Sequence, residues 1–241
     1  MAVTKFRLYD GRDPRDIPAY MLQEASHYTG VPLRTLKDWV SGRHYYAGNG
    51  TKHSKPLIIR PNPKDSSLSF TNLVEAHVLN AIRRRFSIAM PRVRKALDFL
   101  SDKFGSKHPL AEHDFETDGV DLFVEKFGDL INVSRGGQLA LKEILDIYLK
   151  RIERDEQGLA RQLFPFTRIA ANGHVDDPKV VAINPRVAFG KPVIVGTGIP
   201  TAIIAERYKT GESIADIADD YGREYFEIEE AIRCEFELKA A

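Results

Sequence analysis

The stretch IPAYMLQEASHYTGVPLRTLKDWVSG, residues 17–42, restricts the possible folds most strongly, because it has the signals of two short helices joined by a tight turn. Pro18 stands near the expected start of the first helix, Gly30 at its expected end, and Pro32 at the first position of the second helix. In the second helix the apolar residues share one face at helical spacing: Leu33, Leu36, Trp39 and Val40. The spacing predicts a helix-turn-helix motif.

The opposite face of the second helix is polar and basic, as expected of a helix that enters a DNA major groove. Arg34 is the best candidate for reading a base edge, and Lys37 is better placed for a phosphate. Asp38 is an exception, because a carboxylate repels the DNA backbone unless it meets a cytosine amino group. The predicted DNA-binding residues of this helix are Arg34, Thr35, Lys37 and Ser41.

Two short apolar runs after this helix, PLIIR and SLSF, predict strands at residues 56–60 and 67–70. Proline, asparagine and serine separate them, as in a turn, so we expect a β-hairpin that forms the wing of a winged helix. Lys64 would lie at its tip and Arg60 at its base, where they could contact phosphates or the minor groove. Arg43 and Tyr45, in the basic and aromatic stretch before the hairpin, complete the predicted DNA-binding residues.

The histidines of this region and the single cysteine give little indication of a metal or redox site. His44 and His53 raise the possibility of a metal site, but no carboxylate or cysteine completes a ligand set, so we predict no metal and no cofactor. Cys234 is the only cysteine and cannot form an internal disulfide. We expect it to be a small buried packing residue.

Apolar residues at helical spacing predict two further helices, over residues 73–85 and 91–104. The order helix, helix, wing, helix, helix resembles the MerR-type winged-helix DNA-binding domains, on the strength of YTGVPLRTLKDWV, the wing, LVEAHVLNAIRRRF and MPRVRKALDFL. The chain departs from that family after residue 110, where short strands are expected instead of a long coiled-coil helix. The effector-sensing mechanism of the family is therefore not implied.

The charges divide the chain into two unlike parts. Residues 1–110 contain 19 Lys and Arg against 9 Asp and Glu, whereas residues 111–241 contain 16 against 25. The net charges are +10 and −9, although the whole chain carries only +1. This asymmetry suggests a polyanion such as nucleic acid as partner of the first part and a different partner for the second. An uneven solvated surface is the alternative explanation.

For residues 111–133 we expect an antiparallel β-meander, with strands at residues 115–117, 120–125 and 130–133 separated by glycine-containing turns. A helix from about Gly137 carries apolar residues around much of its surface, which implies burial between domains or across a dimer. Carboxylates are frequent here and would allow a metal-dependent nuclease, but alternation on short strands favours a solvated sheet face. These carboxylates are Glu112, Asp114, Glu116, Asp118, Asp121 and Glu125.

The stretch AFGKPVIVGTGIPT, residues 188–201, is rich in glycine but does not have the order of a phosphate-binding loop. Lys191 follows the first glycine and precedes Pro192, and a proline removes a backbone amide from any phosphate cradle. We therefore predict a structural turn between two strands, VVAI and PVIV. Three helices follow, with a capping box at Ser213 and Asp216.

The last of these helices is predicted to bury Tyr225, Ile228, Ile232 and Phe236 and to expose glutamates. Phosphates would repel those glutamates, so the helix is better suited to binding a protein than to binding DNA. The predicted partner-binding residues are Glu224, Glu227, Glu230 and Arg233.

The stretch INPRVAFGKPVIVGTGIPTAIIAERYKTGESIADIADDYG resembles the domain-of-unknown-function family numbered 433, whose members resemble antitoxins that act beside a PIN-domain ribonuclease toxin. A MerR-like domain followed by this module is similar to a long VapB-type antitoxin. The resemblance implies a non-catalytic protein that represses its own promoter and neutralises a ribonuclease by direct binding. A regulator that responds to a small molecule or another protein, without a toxin, is the alternative.

The predicted fold class is mainly α, with some β structure (α+β). Residues 1–110 would form the winged helix, residues 111–175 the meander and helix, which are a candidate dimerisation region, and residues 176–241 the small helical domain with its β-hairpin. No apolar stretch approaches the ~20 residues of a membrane helix, and the first residues lack the apolar core of a signal peptide, so we expect a cytoplasmic protein. A two-fold homodimer would suit paired DNA half-sites.

Overall fold

The first two helices form the predicted helix-turn-helix in the computed structural model, which describes residues 9, 11–48, 50–85, 90–112, 115–131, 135–166, 168–169, 175–176 and 178–236. Helix α1 spans Leu22–Thr29 and ends at Gly30, whose φ of 66° is left-handed. Helix α2 spans Leu33–Ser41 after Pro32. Its buried face holds Leu36, Trp39 and Val40, as the periodicity predicts.

The wing directly follows α2 and does not lie at residues 56–70. Strands β1 (His44–Ala47) and β2 (Gly50–His53) pair as an antiparallel hairpin. The segment at residues 56–60 instead packs beneath α2, where Ile58 is fully buried and the Leu57 and Ile58 amides donate to the Trp39 carbonyl. Pro56, Pro61 and Pro63 interrupt the amide ladder that a hairpin would need there.

Helices occupy the region expected to be a β-meander. Helix α3 spans Phe70–Arg85 and α4 spans Met90–Phe104; after a π-turn at Phe115–Gly119, α5 spans Val120–Ile131 and α6 spans Arg135–Leu149. Val120, Phe123 and Val124 are buried at helical spacing, so a period near 3.6 describes this stretch and the expected alternation was wrong. Gly128 lies where α5 meets α6, and a Cβ there would come within 2.4 Å of Nε2 in the Gln138 side chain.

The antiparallel sheet comes later in the chain than predicted. Strands β3 (Ile152–Arg154), β4 (Ala160–Leu163), β7 (Val181–Ile183) and β8 (Pro192–Ile194) lie in that order, all antiparallel. The short strands β5 (Arg168–Ile169) and β6 (Val175–Asp176) form a separate pair. The predicted β7–β8 hairpin is confirmed, and so is the α+β class.

Three short helices complete the described chain: α7 (Thr201–Lys209), α8 (Ile214–Tyr221) and α9 (Tyr225–Phe236). The predicted Ser213 cap is present, since its hydroxyl accepts from the Asp216 amide at 3.1 Å. One buried apolar cluster extends from Tyr20 to Leu163 and includes Ile183, and a second lies beneath α7–α9. Cys234 is buried in the second cluster, as expected. Across the described ranges, no helix is both long and apolar enough to cross a membrane.

The loop with the sequence AFGK, residues 188–191, lies against Tyr20 and Glu24. Gly190, with a φ of 78°, lies so close to Tyr20 that a Cβ would come within 2.3 Å of its hydroxyl. The ammonium group of Lys191 lies 2.5 Å from Glu24 on α1, and the Tyr9 hydroxyl donates to the Pro185 carbonyl at 3.2 Å. The loop therefore contacts the N-terminal part of the chain, and Gly190 allows the close approach that was predicted for its glycines.

Candidate DNA and partner interfaces

The polar face of α2 is open to solvent. Arg34, Lys37 and Ser41 are exposed, and Thr35 and Asp38 are half-buried. Neither Arg34 nor Lys37 forms an ion pair with another described residue, so both cations are available to an external anion. The structure thus brings the four predicted α2 residues together on one accessible surface.

The β1–β2 hairpin extends this surface with aromatic and basic side chains. Tyr45 lies opposite Lys52, and Tyr46 lies opposite Thr51. Tyr46 is 90% exposed and Tyr45 is 45% exposed, so the hairpin presents a large aromatic area to solvent. Arg43, also exposed, joins the hairpin to α2.

A close backbone approach fixes the start of the hairpin. Gly42 has a φ of 75°, and a Cβ there would lie 1.9 Å from the Ser54 carbonyl oxygen. The Arg43 amide donates to the Ser54 hydroxyl at 2.9 Å, and the Ser54 amide donates to the Arg43 carbonyl. Only glycine fits at residue 42, so the hairpin must leave α2 in this direction.

Sequence reasoning missed Tyr46, Lys52 and Lys55, which are all exposed on or beside the hairpin. The sequence does contain a signal for them, since the two residues between the paired Ala47 and Gly50 are a Gly-Asn dipeptide, which is typical of a two-residue hairpin connection. The prediction instead placed the hairpin strands at the apolar runs of residues 56–60 and 67–70.

Arg60 and Lys64 do not lie on the hairpin. Arg60 stabilises its own loop, where its guanidinium donates to the Asp65 carbonyl at 2.8 Å and to the Pro63 carbonyl at 3.3 Å. Lys64 is exposed in the same loop. Their predicted place at the base and tip of the wing is therefore wrong, because the wing is formed by residues 44–53.

Helix α4 adds basic residues near the base of the hairpin. The Arg94 guanidinium donates to the Pro56 carbonyl at 2.8 Å and so connects α4 to the segment after β2. Arg92 and Lys95, one turn of α4 apart, are both exposed. Positive charge thus extends from α2 through the hairpin to α4.

The C-terminal helices present a different surface, and not the one predicted. Glu224 is exposed, but the Glu227 carboxylate accepts from the Glu224 amide at 3.0 Å and pairs with Arg223, which makes it a helix cap. Glu230 is only 3% exposed and pairs with Arg233. Arg233 also contacts Glu229 at 2.9 Å. Glu230 is therefore not available to a partner, because it faces the α9 side that packs into the domain.

Aromatic side chains are exposed on α9 instead. Tyr225, expected to be buried, is 55% exposed, and Phe226 is 49% exposed. Nearby, an open groove of about 360 Å³ runs between α9 and the α7–α8 corner. Its lining residues are Tyr208, Ile214, Glu229, Ile232, Arg233 and Phe236.

Acidic side chains surround these helices. Residues 201–236 contain ten Asp and Glu against four Lys and Arg. The Arg207 guanidinium contacts the Glu212 carboxylate at 2.9 Å, and this hydrogen bond holds the pKa of Glu212 below its ordinary value. Asp216, Asp219 and Asp220 are exposed on α8. The surface has a net negative charge that favours a basic partner.

Carboxylates of the middle region do not gather into a metal site in the part of the chain that the structure describes. No group of three or more His, Cys, Asp or Glu side chains there could hold a metal ion. Glu116 pairs with Arg154 at 2.7 Å and Asp121 with Lys142 at 2.6 Å. Asp114 lies outside the described residues.

Two family models match the chain in the regions that form these surfaces. A model described as "Putative DNA-binding HTH domain" matches residues 18–97, which include α1, α2, the hairpin and α3. A model described as "Protein of unknown function (DUF433)" matches residues 181–233, which include the β7–β8 hairpin and α7–α9. The predicted resemblance to family 433 is confirmed.

Similar proteins occur in Mycobacterium tuberculosis. "Putative antitoxin VapB45" is 35% identical over 223 residues, which are 86% of this chain and 89% of that protein. "Uncharacterized protein Rv2308" is 29% identical over 232 residues, 90% of each chain. The crystal structure of Rv2018 has a TM-score of 0.64 and 26% identity, and the match covers 90% of this chain and 98% of that one. Because the 35% identity extends over most of both proteins, this chain belongs to the antitoxin family of VapB45 and combines a helix-turn-helix domain with a DUF433 domain.

Proposed function

We propose that this protein is a DNA-binding antitoxin that represses its own operon and neutralises a PIN-domain ribonuclease by direct binding in the cytoplasm. Residues 1–110 would bind promoter DNA, and residues 176–241 would bind the ribonuclease. The protein would act by binding alone, without catalysis or a cofactor. The name of the relative VapB45 and the match to a helix-turn-helix model support this role.

The observation that carries the proposal is the solvent-facing surface of α2 and the adjoining hairpin. Its cations form no ion pairs with other described residues, and its two tyrosines are exposed to solvent. An exposed helix of this kind fits a major groove, and a basic hairpin beside it fits the neighbouring backbone or minor groove. The proposed DNA-binding residues are Arg34, Thr35, Lys37, Ser41, Arg43 and Tyr45, with Tyr46, Lys52 and Lys55 added.

The DNA interface is tested by comparing a base-reading residue with a phosphate-binding residue. Arg34→Ala should weaken binding to the promoter by about 1–3 kcal/mol and reduce the preference over scrambled DNA. Lys52→Ala should weaken binding to both DNAs alike and lower the log–log salt slope by about one. Fluorescence anisotropy of the full-length protein across a salt series measures both effects.

Lys64→Ala is the matched control, since Lys64 is an exposed lysine outside the hairpin. We expect a smaller loss of affinity than for Lys52→Ala. An Arg34→Ala variant that keeps full sequence preference would show that α2 is not the recognition helix. Equal effects of the two lysine substitutions would show that the hairpin has no special part in binding.

For the ribonuclease, we propose the exposed aromatic edge of α9 and the adjacent groove as the docking surface. Tyr225 and Phe226 supply large, rigid apolar contacts of the kind that dominate protein interfaces. The acidic surroundings would favour a basic ribonuclease and accelerate its association. Of the residues predicted earlier, Glu224 and Arg233 remain in this surface, whereas Glu227 caps α9 and Glu230 is buried.

Replacement of Tyr225 and Phe226 by alanine together should weaken ribonuclease binding by at least about 2 kcal/mol, because truncated aromatic anchors leave their pockets empty. Calorimetric titration with the PIN-domain ribonuclease proposed as partner would measure the loss. Leu139→Ala, which truncates a 59% exposed side chain on α6, is the control and should bind normally. Unchanged affinity of the double variant would place the docking surface elsewhere.

We also propose a two-fold dimer on DNA. Two copies would place their α2 helices in half-sites about 34 Å apart, or a multiple of that distance. Sedimentation analysis with and without promoter DNA would test this arrangement, and a one-to-one complex on a palindromic site would contradict it.

A further inference from the structure

Two histidines face each other at the base of the β1–β2 hairpin. His44 and His53 are direct cross-strand partners, so their side chains leave the same face of the ladder. Their ring centroids lie 4.5 Å apart, and the ring planes are tilted by 52°. Both residues are exposed, and no hydrogen bond or ion pair to another described residue occupies either ring.

The backbone at Gly42 leaves room for the ring of His53. A Cβ at residue 42 would lie 2.8 Å from Cε1 and 3.1 Å from Nε2 of His53, so Gly42 leaves the space in which that ring lies. The hydrogen bonds between residues 43 and 54 fix the strands immediately beside the histidine pair. The separation of the two rings is therefore set by the ladder, while rotation about χ2 remains free to aim the nitrogens.

This spacing matches the requirement of a shared metal ion. Two imidazoles bound to one Zn²⁺ at about 2.1 Å in tetrahedral geometry have ring centroids about 5 Å apart. Neutral imidazole is a good ligand for Zn²⁺, Cu²⁺ and Ni²⁺. We propose that His44 and His53 bind one divalent transition-metal ion across the hairpin, with water completing its coordination.

Such an ion would stabilise the part of the protein that needs it most. A two-stranded hairpin exposed on both faces is marginally stable by itself, and β2 is exposed at every residue. A bound ion cross-links the two strands at their base, and because both histidines reach it only when the strands are paired, it favours the closed hairpin over the open one. It also adds two positive charges to a surface that, on the proposed function, faces DNA.

The site is tested without DNA. Zn²⁺ titrated into the metal-free, untagged full-length protein should bind with one ion per chain in calorimetry. His44→Gln and His53→Gln should each weaken binding roughly tenfold or more, since loss of even an outer-sphere partner can cost that much. Thr51→Val, at an exposed position on the same strand, is the control and should bind Zn²⁺ as well as the unchanged protein.

A second measurement identifies the ligands. With Cu²⁺ in place of Zn²⁺, electron paramagnetic resonance should show coupling to two imidazole nitrogens, and each histidine variant should lose it. Absence of Zn²⁺ binding, or binding that survives both histidine substitutions, would overturn the proposal. A protein that binds Zn²⁺ through this pair but does not bind DNA would sustain the metal site and refute the DNA-binding role instead.

Discussion

Gly190→Ala is expected to lower the stability of the protein strongly, because the added methyl group would clash with Tyr20. The new Cβ would lie 2.3 Å from the Tyr20 hydroxyl and 3.2 Å from Cζ, and Tyr20 is 1% exposed and cannot move aside. A left-handed φ costs alanine about 1 kcal/mol, and forced overpacking adds about 1–3 kcal/mol. We expect a loss of about 2–4 kcal/mol in chemical denaturation.

Gly196→Ala is the matched control. Gly196 has a φ of 73°, close to the 78° of Gly190, but an added Cβ there meets no atom within 4 Å. The loss of stability in Gly196→Ala should therefore be limited to about 1 kcal/mol, from backbone strain alone. Equal losses for the two variants would show that the contact with Tyr20 is unimportant.

Tyr20→Phe provides the rescue. The Tyr20 hydroxyl is buried without a hydrogen-bonding partner among the described residues, and burial raises the pKa of this phenol. Removal of an unsatisfied hydroxyl should be neutral or slightly stabilising. In the Tyr20→Phe background, Gly190→Ala should cost at least about 1 kcal/mol less than alone, the size of coupling expected for groups in contact. Strict additivity in this double-mutant cycle would contradict the proposed clash.

Glu230→Lys is expected to destabilise the C-terminal domain. The substitution would place an ammonium group at a site that is 3% exposed and beside the Arg233 guanidinium. Breaking a buried ion pair and adding a like charge should cost about 2–4 kcal/mol, less than for a fully buried pair because the Arg233 side chain is 33% exposed. Thermal unfolding followed by circular dichroism would show the loss.

Glu224→Lys is the comparison for this variant. Glu224 precedes α9 and is exposed, so the reversed charge should cost only about 0.3–1 kcal/mol through the helix dipole. It should reduce binding of a basic ribonuclease while the domain remains folded. If Glu230→Lys unfolds no more easily than Glu224→Lys, the Glu230 side chain is not buried in solution.

The helix-turn-helix was predictable because local signals and apolar periodicity agree there. Gly30 adopts the left-handed conformation that its place at a helix end indicates, and Leu36, Trp39 and Val40 form the buried face. The C-terminal helices were predictable for the same reason, with Ser213 as a true cap. The division into residues 1–110, 111–175 and 176–241 stays a prediction.

The wing and the middle region were not predicted correctly, and both errors concern apolar runs. Ile58 lies in an apolar run that was predicted to be a strand. The run is instead an irregular segment, and Ile58 is buried under α2. In residues 115–131 the glycines were read as turns. Gly128 is instead a small residue at a helix crossing, a role that only the tertiary contact with Gln138 reveals.

The α9 glutamates show the limit of charge as a guide to exposure. Helical spacing places Glu230 on the outward face of α9, opposite Ile228 and Ile232, yet it is only 3% exposed, so packing within the folded domain covers it. Tyr225 lies on the predicted apolar face, at the first residue of α9, but is 55% exposed. At the ends of short helices, neighbours in space determine burial more than periodicity does.

The contact of the AFGK loop with α1 has a thermodynamic consequence. The loop belongs to the region proposed to bind the ribonuclease. It meets Glu24 on α1 and Tyr20 just before α1, and α1 packs beside α2, the proposed recognition helix. If either ligand shifts this contact, linkage requires that DNA changes the affinity for ribonuclease by the same factor by which ribonuclease changes the affinity for DNA. The Lys191–Glu24 ion pair and Gly190 would then determine how strongly binding of the proposed ribonuclease changes the affinity for promoter DNA.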